Sequence, residues 1–189
     1  VGNQMLVAGD LTTAGNQETS YEELLEAYRE QILVQAREGI DLLVAETMLG
    51  VTECMAALDA AASVCSLPVM CTLTVESDGS LFFGGNIYEA VETLEEMGAD
   101  AVGINCSTGP DQLLSVVENM RKRVNIPLIV KPNAGIPVIN AQGQPVYSME
   151  AREFTACMKH LVDAGADIIG GCCGTTPEYI QKLHDTFTL

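Results

Sequence analysis

Ala-Gly-Ala-Asp, at residues 164–167, is the last of three similar tetrapeptides that decide how this chain folds. The other two are Glu-Gly-Ile-Asp at 38–41 and Met-Gly-Ala-Asp at 97–100. Each follows a segment with helical spacing of apolar residues and precedes a continuously apolar run. The glycine is suited to ending a helix, and the aspartate opens a strand that is buried on both faces. Repetition of this joint predicts successive βα units, with a parallel sheet and helices outside it.

The hydrophobic pattern on either side of these joints predicts six strands that alternate with six helices. The strands are 5–9, 41–47, 68–75, 100–105, 126–131 and 167–171, and the helices are 21–38, 53–63, 87–97, 110–123, 149–164 and 177–184. The segment 132–147 is predicted to be a loop because it contains three prolines and two glycines. Two architectures fit this pattern. A (β/α)8 TIM barrel typically needs about 250 residues, whereas an open doubly wound sheet fits six units without a gap.

Composition and charge exclude several classes of partner. Lys and Arg number 9 against 26 Asp and Glu, a net charge of −17, which argues against nucleic acid and against an anionic membrane because both require clustered cations. No apolar run approaches the roughly 18 residues that cross a bilayer, and residues 1–4 lack the features of a signal peptide. Seven scattered cysteines do not form a secreted disulfide framework. We therefore expect a protein of the reducing cytoplasm.

Three cysteines stand at the ends of predicted strands. Cys106 follows the strand 100–105, and Cys172 and Cys173 follow the strand 167–171 within Gly-Gly-Cys-Cys-Gly-Thr-Thr. Because parallel strands end on one face, we expect these sulfurs to converge with the amide of Asn133, which lies just past the strand 126–131. Glycines 170, 171 and 174 would allow the bend that aims two adjacent thiols at one point. Three thiolates with a weakly held fourth position are typical of a zinc site open to substrate.

Other interpretations of these residues stay open at this point. The adjacent cysteines could form a vicinal disulfide or the redox pair of a thiol–disulfide oxidoreductase, although nothing nearby in the sequence indicates a cationic neighbour. A closed structural or storage zinc site would need a firmer fourth ligand than an amide. The glycine-rich segment 170–174 could bind phosphate, but cysteines serve no purpose there. Cysteines 54, 65, 71 and 157 are interpreted as small hydrophobic residues.

Two motifs make the interpretation more specific. Gly-Ile-Asn-Cys at 103–106 and Gly-Gly-Cys-Cys-Gly-Thr-Thr-Pro at 170–177 together resemble the homocysteine S-methyltransferase family, zinc-dependent barrels that transfer a methyl group to homocysteine and make methionine. The resemblance covers essentially the whole chain, and the Pro-Asn-Ala-Gly-Ile-Pro loop at 132–137 is more similar to the cobalamin-dependent branch than to the betaine-dependent one. It implies a (β/α)8 TIM barrel without its first two βα units, so residues 1–189 would form an incomplete homocysteine-binding barrel domain.

The same resemblance implies roles for individual residues. Cys106, Cys172 and Cys173 would be the ligands of Zn²⁺. Asn133 would hold the fourth position until homocysteine displaces it, and Glu46 would bind the homocysteine ammonium group. From the residues alone, a glutamate at a strand end could equally be a solvated surface residue. The expected methyl donor is methylcobalamin bound outside this segment, with betaine or S-methylmethionine as alternatives. A non-catalytic zinc-binding fragment is a further alternative.

The ligand types suit alkyl transfer to sulfur. A free thiol, with a pKa of about 8.5, is mostly protonated at neutral pH, and zinc coordination removes that proton. Three thiolates leave the site with a net negative charge, so a fourth sulfur stays nucleophilic, whereas three histidines would favour the activation of water. The expected partners are homocysteine and cobalamin or folate domains, or a separate corrinoid protein. An incomplete barrel would also expose a strand edge, so we expect self-association.

Overall fold

The computed structural model describes residues 5–187, which form a six-stranded parallel sheet covered by six helices. The strands are β1 (Ala8–Leu11), β2 (Leu42–Met48), β3 (Val69–Leu73), β4 (Ala101–Asn105), β5 (Leu128–Lys131), β6 (Val138–Ile139), β7 (Pro145–Val146) and β8 (Ile168–Ile169). The helices are α1 (Tyr21–Arg37), α2 (Val51–Val64), α3 (Ile87–Glu96), α4 (Leu114–Arg121), α5 (Ala151–Asp163) and α6 (Pro177–Phe187). A 3₁₀ turn at Pro110–Gln112 precedes α4. The strands β6 and β7 form a separate antiparallel hairpin.

The order of the strands identifies the architecture. The sheet runs β1-β2-β3-β4-β5-β8, and every neighbouring pair is parallel. A doubly wound sheet reverses its order at a switch point, which this sheet does not do. Because crossovers between parallel strands are right-handed, an unreversed order places all the helices on one face of the sheet. The chain therefore has the fold of part of a TIM barrel, as predicted, and the open doubly wound alternative is wrong.

The glycine of each repeated tetrapeptide ends a helix as expected. Gly39, Gly98 and Gly165 have φ angles of 80°, 92° and 111°. Residues with a Cβ rarely adopt this left-handed backbone, so glycine is the residue that turns the chain from helix to strand here. At the other end of α1, Ser20 and Glu23 form a reciprocal capping box.

The aspartate of each tetrapeptide has a function that the sequence did not reveal. Its carboxylate accepts a hydrogen bond from a backbone N–H that precedes or opens the neighbouring strand: Asp41 from Val7 at 2.7 Å, Asp100 from Val69 at 2.8 Å and Asp167 from Leu128 at 2.9 Å. The N–H of each aspartate donates back to the carbonyl of the same partner. The repeated joint therefore fastens adjacent strands together at their N-terminal ends.

The two faces of the sheet have different chemistry. Alternate strand residues such as Leu43, Cys71 and Val130 pack with the helices in one apolar core. Their neighbours point to the opposite face, which we call the inner face. That face carries buried polar residues, notably Thr72 and Asn105. Within residues 5–187, no helix has the length and apolar character needed to cross a bilayer.

Several predicted boundaries needed correction. The first strand covers residues 8–11 rather than 5–9, because its pairing with β2 continues to Leu11. The last strand has only two residues, and the predicted helix 110–123 is a 3₁₀ turn followed by the shorter α4. The predicted loop 132–147 contains a hairpin whose turn depends on one side chain, since Asn140 accepts hydrogen bonds from the N–H groups of residues 142 and 144. Of the cysteines interpreted as apolar, Cys54 and Cys71 are buried, whereas 65 and 157 are only partly so.

Candidate metal centre

The candidate site lies where the C-terminal ends of β4, β5 and β8 meet. Cys106 directly follows β4, Asn133 lies two residues beyond β5, and Cys172 lies three residues beyond β8. Backbone hydrogen bonds continue past the strands, from the Cys106 N–H to the Lys131 carbonyl at 3.2 Å and from the Cys172 N–H to the Pro132 carbonyl at 2.9 Å. The structure therefore brings together the residues that were expected to converge.

The three sulfurs form a compact cluster. The Sγ atoms of Cys106, Cys172 and Cys173 all lie within 4.8 Å of one another, and those of Cys106 and Cys173 are 3.3 Å apart. Thiolates bound to one tetrahedral zinc ion, with Zn–S distances of about 2.3 Å, would be about 3.8 Å apart. All seven cysteines of the chain are free thiols. The donor type and the spacing both fit a zinc ion.

Local backbone conformation aims the sulfurs. Cys106 has a φ angle of 50°, which is uncommon for a residue with a side chain and typical of strained functional positions. Gly174, with a φ angle of 81°, turns the chain after the cysteine pair and packs so closely against the side chain of Tyr147 that an added Cβ would clash with it. Neither Gly170 nor Gly171 has a positive φ angle. The expected conformational freedom is therefore needed at Gly174 alone, and Gly171 instead leaves space for Thr175.

Asn133 joins the loops that carry the cysteines. Its amide is buried, with Nδ2 donating to the Ser107 carbonyl at 3.0 Å and Oδ1 accepting from the Cys173 N–H at 3.1 Å. This clamp holds the segment after β4 against the segment after β8. The amide oxygen retains a second lone pair, so the prediction that Asn133 supplies a fourth ligand stays a prediction.

Asn105 is a structural residue of the site to which the sequence analysis assigned no role. Only 1% of its surface is exposed, and Oδ1 accepts hydrogen bonds from the Thr47 N–H at 2.8 Å and the Thr72 hydroxyl at 2.9 Å. Its Nδ2 donates to the Thr47 hydroxyl at 2.7 Å and lies 3.9 Å from the Cys172 sulfur. One side chain thus connects β2, β3 and the cysteine pair. The sequence offered one signal for this role, which was not used: an amide that ends an apolar strand directly before Cys106.

The electrostatics of the cluster favour a bound cation. The hydrogen bond with Cys106 is the main reason that the pKa of the Cys172 thiol falls to about 6, although burial and the charge of Glu46 oppose the shift. The same hydrogen bond, together with burial, raises the pKa of Cys106 far above its usual range. Without a cation, Cys106 and Cys172 therefore resist ionising together. The low pKa of Cys172 arises chiefly from thiol donors, so it gives no support to a redox pair activated by a cation.

Three charged side chains lie on the inner face, and one of them, Glu46, is within range of the Cys172 sulfur. Glu46, near the end of β2, forms an ion pair with Lys131 at the end of β5. These strands are separated by β3 and β4, or three spacings of about 4.8 Å each, so the pair can form only because the sheet curves. Asp10 on β1 is close by, since burial and the charge of Glu46 raise its pKa while Lys131 lowers it.

The structure therefore places Glu46 in the site, where its charge acts on Cys172. Its predicted contact with an ammonium group stays a prediction. Lys131 and Asp10 were missed, because side-chain direction cannot be read from strands that are apolar on both faces. A charged residue at the end of each buried run was the available signal.

Comparison with known proteins gives consistent findings. The family model described as homocysteine S-methyltransferase matches residues 2–187. A methionine synthase from Mycobacterium leprae (strain TN) is 32% identical over 179 residues, which are 92% of this chain and 15% of that protein. A methionine synthase from Mycobacterium tuberculosis (strain ATCC 25618 / H37Rv) is 31% identical over 178 residues, with the same coverage of 92% and 15%. The chain thus spans only a small part of the length of these relatives.

Solved structures agree with the fold. The apo form of the homocysteine methyltransferase MmuM from Escherichia coli superposes with a TM-score of 0.78 at 25% identity, covering 97% of this chain and 63% of that one. Its metallated form gives a TM-score of 0.80 at 23% identity, covering 97% and 62%. The second likeness is a likeness of fold alone. Sequence motifs, strand order and superposition all lead to one family.

Proposed function

The chain belongs to the homocysteine S-methyltransferase family, and we propose that it binds Zn²⁺ through three cysteines and transfers a methyl group to the thiol of homocysteine, giving methionine. The observation that carries the proposal is the cluster of Cys106, Cys172 and Cys173, whose sulfurs lie within 4.8 Å of one another. When bound there, zinc would supply a thiolate at neutral pH from a thiol whose ordinary pKa is about 8.5.

The residues around the cysteines hold the cysteine loops in position and are assigned to binding and orienting the substrate. Asn133 holds the two cysteine loops together, and we assign its remaining lone pair to the fourth ligand position before substrate arrives. Glu46 is assigned to the substrate ammonium, which is supported by its position on the inner face, within range of Cys172. Asn105 fixes Thr47, and with it the backbone that presents Glu46.

We assign methylcobalamin as the methyl donor, carried by cobalamin and folate domains or by a corrinoid protein. Two findings support this assignment: the likeness of the loop at 132–137 to the cobalamin-dependent branch, and the identity of 32% to a methionine synthase. Betaine and S-methylmethionine are the alternative donors. All three ligand thiols must stay reduced, which supports location in the cytoplasm.

Metal analysis of cysteine variants tests the site. We expect one zinc ion per chain in reduced protein, and loss of tight binding when Cys106, Cys172 or Cys173 is changed to alanine, because two thiolates and an amide are a poor tetrahedral set. Cys65→Ala is the matched control, since Cys65 is partly buried at the end of α2 and should leave zinc content unchanged. Stoichiometric zinc in a Cys172→Ala, Cys173→Ala double variant would rule out the assignment.

A donor assay tests the reaction. Zinc-loaded protein is incubated with homocysteine and, in parallel, methylcobalamin, betaine or S-methylmethionine, and methionine is measured by mass spectrometry. We expect methionine with methylcobalamin, and none with the protein lacking Cys172 and Cys173. Methionine formed with betaine alone would show that betaine, and not methylcobalamin, is the donor, and would leave the assignment of the zinc site intact. Methionine formed by the double variant would contradict the zinc mechanism.

A further inference from the structure

Lys131 occupies an unusual position for a lysine. It ends β5 immediately before the Pro132-Asn133 segment, and its side chain is only 24% exposed. Its methylene stem packs over Gly170, where an added Cβ would lie 3.3 Å from the lysine Cγ and 3.5 Å from Cδ. The ammonium group extends across the inner face to Glu46. The backbone of Lys131 and of the residue after it contacts the candidate metal centre, because the Lys131 carbonyl accepts from the Cys106 N–H and the Pro132 carbonyl accepts from the Cys172 N–H.

Stability alone does not explain this arrangement. Both partners are partly exposed, at 24% and 31%, and ion pairs of this kind usually stabilise a protein by about 0–1 kcal/mol. Asp10 adds a second carboxylate near the pair. The inner face therefore holds two negative groups and one positive group, and Glu46 among them is within range of Cys172.

This charge pattern matches an α-amino acid. Homocysteine carries an ammonium and a carboxylate on one carbon, separated from its sulfur by two methylene groups. An ammonium that binds Glu46 competes with Lys131 for the carboxylate, and a lysine released from Glu46 would lie next to the α-carboxylate. The Glu46 carboxylate would exchange the lysine for the substrate ammonium, and the Lys131 ammonium would exchange the glutamate for the substrate carboxylate. No ion is then left unpaired in a partly buried site.

We propose that Lys131 is a specificity-determining residue that binds the α-carboxylate of the substrate, while Glu46 and Asp10 share its ammonium. The inference rests on the proposed function, because it takes the thiol of the same amino acid to be bound at the cysteine cluster. It assigns the ion pair between Glu46 and Lys131 as the substrate-free arrangement of a zwitterion-binding site.

Binding of three thiols tests the contribution of each substrate charge by itself. They are homocysteine, 3-aminopropane-1-thiol, which lacks the carboxylate, and 4-sulfanylbutanoate, which lacks the ammonium. Binding to zinc-loaded protein is measured by calorimetry for the wild type, Lys131→Met and Glu46→Gln. Lys159→Met is the matched control, because Lys159 is exposed on α5. Zinc content of each variant is measured as well and should equal that of the wild type.

Loss of a charged hydrogen bond should weaken binding about tenfold to hundredfold. We expect that loss in Lys131→Met for homocysteine and 4-sulfanylbutanoate, with 3-aminopropane-1-thiol bound no more weakly than by the wild type. Glu46→Gln should show the reverse, with losses for homocysteine and 3-aminopropane-1-thiol only. Lys131→Arg, which keeps the positive charge, should retain the preference for a carboxylate.

The outcomes separate the two proposals. Equal losses for homocysteine and 3-aminopropane-1-thiol in Lys131→Met would show a merely structural lysine and overturn the inference. Unchanged homocysteine binding in that variant would overturn it too, while leaving the proposed function intact. Zinc-loaded wild-type protein that binds none of the three thiols would instead contradict the proposed function itself.

Discussion

Asn105 shows how much a single buried amide determines at the residue scale. It makes two hydrogen bonds with Thr47 and one with Thr72, and its Nδ2 lies near Cys172. Thr47 has a φ angle of 60°, which a threonine adopts only where its surroundings enforce it. Asn105 thus holds the backbone next to Glu46 and also contacts the cysteine pair.

Replacing Asn105 with leucine should therefore affect both stability and metal binding. The change removes the acceptor of the partly buried Thr47 N–H and of the buried Thr72 hydroxyl, and a buried donor left unsatisfied costs about 1–3 kcal/mol. We expect a lower free energy of unfolding in urea and weaker zinc binding. Asn119→Ala, on the exposed side of α4, is the control. A variant as stable as the control would refute the structural role of Asn105.

At the scale of elements, the repeated joints show why much of the fold was predictable. A glycine with a positive φ angle and an aspartate at a strand start are local signals, and Gly39, Gly98 and Gly165 behave as expected. Cys106 could be placed at a strand end because the joint at 97–100 marks where the apolar strand before it begins. The hairpin β6–β7 was missed because its turn depends on side-chain hydrogen bonds of Asn140 within a segment rich in proline and glycine.

The charged part of the site was less predictable than the sulfurs. The cysteine cluster follows from strand ends and from a family motif, whereas Asp10 and Lys131 matter because of the curvature that brings β1, β2 and β5 together. Curvature results from the whole sheet and leaves no local mark in the sequence. Only a three-dimensional structure could pair Lys131 with Glu46.

The aspartate of a joint can be tested directly. Asp100→Ala removes the carboxylate that accepts the Val69 N–H at 2.8 Å, at the start of β3. A backbone donor left without a partner costs about 1–3 kcal/mol, so we expect a loss of that size in the free energy of unfolding. Asp163→Ala, at the exposed end of α5, should change it by less than about 0.5 kcal/mol. Equal effects of the two variants would show that the joint does not fasten the strands.

At the scale of the molecule, the sheet formed within residues 5–187 has two edge strands, β1 and β8. Next to β1, residues 5–7 expose large apolar side chains, at 69%, 73% and 59% of their surfaces. A strand edge with unpaired backbone groups beside an apolar surface favours pairing with another chain. We therefore expect a protein of residues 1–189 alone to self-associate as its concentration rises, measured by analytical ultracentrifugation. A monomer that persists at high concentration would contradict this expectation.

The central claim is that three cysteines at the ends of β4 and β8 hold a zinc ion at which the thiol of homocysteine binds. X-ray absorption at the zinc edge tests it most directly, on reduced protein before and after homocysteine is added. We predict three sulfur neighbours and one oxygen or nitrogen before addition, and four sulfurs afterwards, because zinc held by three thiolates gains more from a fourth thiolate than from a neutral oxygen. Binding should also release about one proton. A first shell that stays unchanged when homocysteine is added would contradict the account.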